Sequence, residues 1–172
     1  MEKMRCAGFR FAGIEAGIKK RGGRDLGLIV SEAPAAVAGV FTRNRVQAAP
    51  VLLDRRRVGS GRCQAVIANS GNANCGTGDA GMRDALAMCR DAAAALGISE
   101  ELVCVASTGV IGQPMPMDAF SRAIPRLTEA LSEDGVDAFA EAIMTTDLVP
   151  KIVSVGGEID GKPYTLLGVA KG

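Results

Sequence analysis

Leu102 to Ala106 is a short apolar run rich in β-branched residues, and it halts at Ser107-Thr108-Gly109. A run this brief and this uniformly apolar suits a strand covered on both faces, which restricts the fold to stacked layers. Composition narrows the layers further. Hydrophobic residues make up 48% of the 172 positions and aromatics only 3%, so the core must be built from Ala, Val, Leu, Ile and Met, which allow close packing. That length fits one domain or one subunit and can bury a substantial core.

Ser107, Thr108 and Gly109 place two hydroxyls and several little-hindered backbone N–H groups at the end of that strand. Such a turn can aim donors at a developing negative charge, as an oxyanion hole requires. The plainer alternative is a strand-to-helix turn with Ser and Thr as capping residues. The chain has no His, so it cannot alone supply a Ser-His-Asp or Cys-His apparatus or a His-containing zinc site. No metal is expected. Five cysteines without a C-x-x-C pair read as reduced thiols, and Cys89, on an apolar helical stripe, as a core residue.

Net charge is +1, with 20 basic and 19 acidic residues dispersed along the chain, which gives no extended field for nucleic acid or an anionic membrane. Arg55-Arg56-Arg57 is the densest basic cluster and reads as a solvated loop in preference to a phosphate or coenzyme contact. No apolar run approaches the roughly 20 residues that span a bilayer. With no secretory h-region at the N-terminus, a cytoplasmic location is expected. Walker A and G-x-G-x-x-G patterns are missing around Gly13–Gly17, which argues against nucleotide binding.

Alternation at Phe9 and Phe11 predicts a strand, followed by strands over Leu26–Val30 and Ala35–Phe41 with Pro34 as the break between them. Gln47–Asp54 fits helix or strand. Gln64–Ala68 predicts a strand running into a structured loop, Asn69 to Gly78, either buttressing that strand or touching substrate. Met82, Leu86, Cys89, Ala93 and Leu96 recur at helical spacing up to Gly97. A second helix over Met117–Leu131 contains Pro125, expected to bend or divide it, and a third runs over Val136–Met144. Lys151–Ala170 predicts a hairpin turning at Asp160-Gly161-Lys162-Pro163. The abrupt stop at Ala170-Lys171-Gly172 suggests cleavage, truncation or disorder. Strands early and helices in the middle predict an α/β chain of layered α+β type, residues 1–172 forming a single unit.

Several separated motifs carry a family resemblance. Gly13-Ile14-Glu15-Ala16-Gly17-Ile18-Lys19, Gly39-Val40-Phe41-Thr42-Arg43-Asn44, Ala49-Pro50-Val51, Asn69-Ser70-Gly71-Asn72-Ala73-Asn74, Ser107-Thr108-Gly109-Val110-Ile111-Gly112, Met144-Thr145-Thr146-Asp147 and Gly168-Val169-Ala170-Lys171-Gly172 resemble, in order, the N-terminal half of ornithine acetyltransferase, also called glutamate N-acetyltransferase. One departure is Cys75-Gly76, where the family has Ala and then a small residue or Cys.

The resemblance implies a layered α+β sandwich of the ornithine acetyltransferase / DmpA type, completed by a β chain cut from the same precursor. It implies a heterotetramer of two α and two β chains, with an N-terminal Thr of the β chain as nucleophile. That Thr would carry acetyl from N-acetylornithine to glutamate. Thr108 and Gly109 match the oxyanion-hole pair, and Thr145 and Lys171 match substrate-binding positions, with Thr146 the alternative to Thr145. No cofactor is implied, and acetyl-CoA as a second acetyl donor stays open. The rival class is an N-terminal-nucleophile amidohydrolase or aminopeptidase, which would pass the acyl group to water.

Overall fold

In the computed structural model, which describes residues 4–171, four strands pair in chain order: β1 (Phe9–Ile14), β2 (Leu26–Ala36), β3 (Arg62–Asn72) and β4 (Val103–Val110). The first three are antiparallel, and β4 joins β3 in parallel. A parallel pair needs a crossover, which α2 (Gly78–Leu96) supplies. Gly172, last residue of the Gly168–Gly172 motif, lies outside the described residues.

Period-2 alternation sends Leu28, Ile67 and Val105 to one face, where they meet Met88 of α2 and Phe120, Ile124 and Leu127 of α3 (Met117–Glu129). All seven are at most 2% exposed, and each such burial contributes about 1.5–3 kcal/mol. The opposite face carries a smaller core of Phe11, Ala68, Val136 and Phe139 beneath α4 (Val136–Ala142). Gly13 and Gly27, which pair across β1 and β2, explain how α4 lies so close. A Cβ on Gly13 would stand 1.9 Å from the Ala138 carbonyl oxygen, and one on Gly27 would stand 2.8 Å from the Phe139 ring. The glycines that dilute the strand pattern are the ones a helix rests on.

The layered α+β architecture expected from the sequence is present. α2 and α3 lie on one face, the sheet in the middle, and α4 with a separate two-stranded hairpin on the other. The hairpin is β5 (Lys151–Ile159) and β6 (Lys162–Ala170). It turns through Asp160 and Gly161 alone, at φ 51° and 73°, a two-residue turn with both centres left-handed that matches strand twist.

Several expectations change or resolve. No third strand occupies Ala35–Phe41: β2 continues through Pro34 to Ala36, and residues 37–44 are irregular. Pro34 falls in the unpaired stretch between Val30 and Ala35, where its missing N–H breaks no ladder bond. Gln47–Asp54 resolves as helix, α1 (Ala49–Val58), with Pro50 in its first turn. Pro125 does not divide α3; it lies on the exposed side. Asn69 to Asn72 and Ser107 to Val110 extend their strands, because each supplies the other's parallel partner in the register Asn69↔Ser107 to Asn72↔Val110.

Arg55-Arg56-Arg57 belongs to α1 and is no loop. Arg57, 3% exposed, donates to the Val103 carbonyl and pairs with Glu100 at 2.9 Å. Arg55 lies over the Phe41 ring at 5.6 Å. Burial with a carboxylate and a carbonyl commits Arg57 to the fold.

Candidate functional site

The extended ends of β3 and β4 deliver Gly71-Asn72 and Thr108-Gly109-Val110 to the rim of a cavity of about 950 Å³. Its other walls are Gly17–Arg21, the loop around Gln113, Pro114 and Pro116, the pair Thr145-Thr146, and Lys171. Thr108, Gly109, Thr145 and Lys171, spread over more than a third of the chain, therefore line one space. Thr145 is half-buried and Thr146 exposed, and both line it.

Each wall is held by buried polar groups. Asp25, fully buried, accepts N–H bonds from Ala16 and Ile18 at 2.6 Å and from Lys19 at 2.9 Å. Three converging donors fix the 16–19 loop as a rigid wall. Gly71, at φ +103°, presses on that loop so closely that a Cβ would lie 3.2 Å from the Lys19 nitrogen. Asn72 donates to the carbonyls of Gln113 (3.2 Å) and Pro114 (3.0 Å) and accepts from the Asn74 N–H at 2.8 Å. Asn69 donates to the Asn72 carbonyl at 2.9 Å, and Asn74 to the Gly81 carbonyl at 2.8 Å. The Asn-rich segment is thus mainly a buried framework, with Gly71 and Asn72 also reaching the cavity.

Asp147 ties the far wall together. Its side chain is 2% exposed and accepts from Lys171 Nζ at 2.8 Å, Lys151 Nζ at 2.5 Å and the Thr145 N–H at 3.1 Å. Arg21, across the cavity, donates to the Thr145 carbonyl at 2.5 Å.

Lys19, Lys20, Arg21 and Lys171 line the cavity, and no Asp or Glu does so among the described residues. Partial burial and the neighbouring Arg21 lower the Lys19 ammonium below its usual value. The lining favours an anionic ligand. Among the described residues, Ser107 Oγ and Thr108 Oγ1 are buried with no hydrogen-bond partner. A hydroxyl left so costs about 1–3 kcal/mol, and of the two residues only Thr108 lines the cavity.

Thr108 and Lys171 also border a second, largely apolar cavity of about 550 Å³ between the sheet and the hairpin. Cys89 is fully buried in the main core, and burial pushes its thiol up to about 12, which keeps it protonated and unreactive. Among the described residues, no cluster of His, Cys, Asp and Glu could hold a metal ion, and no helix is long and apolar enough to cross a membrane.

Asn72 belongs to the Asn-rich loop that the sequence marks as structured, whereas Asp25 and Asp147 carry no such mark as site-building residues. Each is a lone Asp whose partners are backbone groups or lysines. The adjacency of Asp147 to Thr145-Thr146 is its one visible signal.

Comparison with known proteins places this geometry in a family. The ArgJ family model matches residues 10–172. An arginine biosynthesis bifunctional protein ArgJ from Syntrophotalea carbinolica is 56% identical over 165 residues, 96% of this chain and 42% of that protein. Its counterpart in Geobacter sulfurreducens is 53% identical over 169 residues, 98% and 43% respectively. The chain therefore spans under half the length of the relatives it matches. Among solved structures, ornithine acetyltransferase from Mycobacterium tuberculosis, crystallised with ornithine, superimposes with a TM-score of 0.93 at 44% identity, over 97% of this chain and 89% of that one. The Bacillus halodurans ArgJ protein gives 0.92 at 43% identity, over 97% and 87%. The protein described here, with its basic cavity at the ends of a parallel strand pair, belongs to the ArgJ family.

Proposed function

We propose that this chain is the α part of a self-cleaving glutamate N-acetyltransferase of arginine biosynthesis, moving acetyl from N2-acetylornithine to glutamate. The observation that carries the reading is the convergence of Thr108, Gly109, Thr145 and Lys171 on one cavity lined by basic residues. Both the donor and the acceptor of such a transfer carry a carboxylate, which a fixed ammonium recognises.

The nucleophile would be an N-terminal Thr on a β chain cut from the same precursor. Its own α-amino group, with an unperturbed pKa of about 7.7–8.0, serves as base, which accords with a chain lacking His. The Thr hydroxyl gives its proton to that amine and attacks the acetyl carbonyl. Thr108 Oγ1 and the Gly109 N–H stabilise the resulting oxyanion. Collapse breaks the amide C–N bond, ornithine leaves with the proton, and an acetyl-threonine ester remains. Glutamate's neutral amine then attacks that ester, the bond from the acetyl carbon to the Thr oxygen breaks, and the Thr hydroxyl regains its proton from the amine as N-acetylglutamate departs. Acetyl-CoA would enter as a second donor at the same ester-forming step. Thr145 positions substrate beside Lys171. The assembly would hold two α and two β chains and work in the cytoplasm.

The test uses the full-length precursor. Intact mass and N-terminal sequencing are expected to give two chains, the second beginning with Thr, and the product of N-acetylornithine plus glutamate is expected to be N-acetylglutamate. Thr108→Ala is expected to lower kcat about 10²–10³-fold with a smaller change in KM. Free acetate as the sole product would identify a hydrolase instead, and an unchanged kcat in Thr108→Ala would remove Thr108 from the oxyanion site.

A further inference from the structure

Resting on that reading of function, we infer that Asp147 is the positioning residue that sets Lys171 and Thr145 at a fixed separation for the substrate carboxylate. Asp147 does not line the cavity. It lies behind the wall, 2% exposed, and one oxygen, Oδ2, accepts both from Lys171 Nζ at 2.8 Å and from the Thr145 N–H at 3.1 Å. Two groups from distant parts of the chain are thereby referenced to a single atom. An ammonium has three N–H donors, so Lys171 can serve Asp147 and a ligand carboxylate together.

The hairpin makes this tether necessary. β5 and β6 hydrogen-bond to each other and not to the main sheet. They meet the body through partly buried side chains, Ile152, Leu167 and Val169, on the small core. Apolar contacts of that kind are non-directional and fix no register. Asp147 Oδ1 takes Lys151 Nζ at 2.5 Å, from the first residue of β5, while Oδ2 takes Lys171, just past the last residue of β6. Lys151 and Ala170 are register partners, so one carboxylate pins the base of the hairpin at both strands. The base is where the cavity lies. Charge-assisted bonds to a nearly buried carboxylate are directional and short, and they supply the orientation that the apolar contacts lack.

Asp147→Asn in the full-length enzyme keeps the side-chain volume and removes the charge. Its KM for both N-acetylornithine and glutamate is expected to rise about tenfold, kcat is expected to fall less, and Asp147→Glu is expected to recover part of the loss. The decisive comparison is in a Thr145→Ala/Lys171→Met background. If Asp147 acts through these two residues, adding Asp147→Asn there changes kcat/KM by under about threefold, because both side chains it positions are gone. Losses that multiply instead would make Asp147 an ordinary structural residue and overturn the inference, as would an Asp147→Asn enzyme with wild-type KM values. Should Asp147→Asn fail to fold, Asp147→Asn/Lys151→Met removes the surplus positive charge at the base of the hairpin and is expected to show the same KM rise. Wild-type KM values in that folded double variant would overturn the inference equally. A wild-type enzyme inactive with N-acetylornithine overturns both this inference and the functional reading, whereas an active wild type with an indifferent Asp147 overturns this one alone.

Discussion

Gly109 illustrates how tightly single positions constrain the site. Its φ is +137°, and a Cβ there would stand 2.3 Å from the Gly71 carbonyl carbon and 2.6 Å from the Asn72 nitrogen. Those are backbone atoms of the neighbouring strand, so relief requires β3 and β4 to separate where they meet the cavity. Gly112, three residues on at φ +77°, has open space where its Cβ would be, and Ala there meets only the backbone penalty of about 1 kcal/mol. Gly109→Ala combines that penalty with a steric one and is expected to cost about 3 kcal/mol or more. Urea unfolding of the two variants beside the wild type checks this; equal midpoints would show that the close approach is dispensable. Thr108 and Gly109 showed in their residue types as a turn able to hold an oxyanion, whereas Thr145 and Lys171 were legible only through motif resemblance, because no local period links them to position 108. The carboxylate of Asp25 was illegible for a related reason: its partners are N–H groups of Ala16, Ile18 and Lys19, and any residue but proline would supply the same donors.

At the scale of elements, what the sequence disclosed follows from range. α2, α3, α4 and the hairpin announce themselves through spacing within one segment. The extension of β3 into Asn69-Ser70-Gly71-Asn72 does not, since those residues are poor strand formers held by a parallel partner and by the Ser70 hydroxyl donating to the Ala142 carbonyl at 2.5 Å. The role of α1 was equally hidden. β4 is an outer strand of the sheet, and α1 covers its open edge with two side chains. Asp54 accepts the Val105 N–H at 3.0 Å, and Arg57 donates to the Val103 carbonyl. A protected edge cannot recruit another chain. The cap carries a pH signature. Burial pushes the Asp54 carboxyl from 3.8 up to about 6, against the opposing pull of the Val105 N–H and Arg57. A raised carboxylate pKa means the fold favours the protonated acid. Its stabilising contribution is fully present below the unfolded pKa of 3.8 and is lost as pH rises through about 6. Asp54→Asn keeps an acceptor for Val105 without a proton to lose. Urea midpoints measured from about pH 4 to about pH 7 are expected to decline less in the variant than in the wild type. Parallel profiles would show that Asp54 titrates alike in both states.

At the scale of the whole molecule, the hairpin presents an apolar face that the described residues do not cover. Val153, Val155, Ile159 and Leu166 on the hairpin are each more than half exposed, and Tyr164 is 45% exposed. Beneath them lies the apolar cavity of about 550 Å³. Both outer edges of the hairpin carry strand backbone with no neighbouring strand among the described residues, and such edges invite pairing. A contiguous apolar surface with open edges signals an absent partner surface. The matched relatives extend to more than twice this length. The proposed β chain would therefore cover the hairpin and reach Thr108 and Lys171, which border both cavities. Hydrogen exchange tests the arrangement directly. Outer-edge amides of β5 and β6 are expected to be protected in the full-length protein, and at least tenfold less so in residues 1–172 expressed alone. The isolated chain is also expected to self-associate at micromolar concentration, read by sedimentation. A monomeric isolated chain whose hairpin exchanges no faster than in the full-length protein would place the proposed β chain elsewhere. The cavity beside Thr108 would then have to be closed by this chain alone.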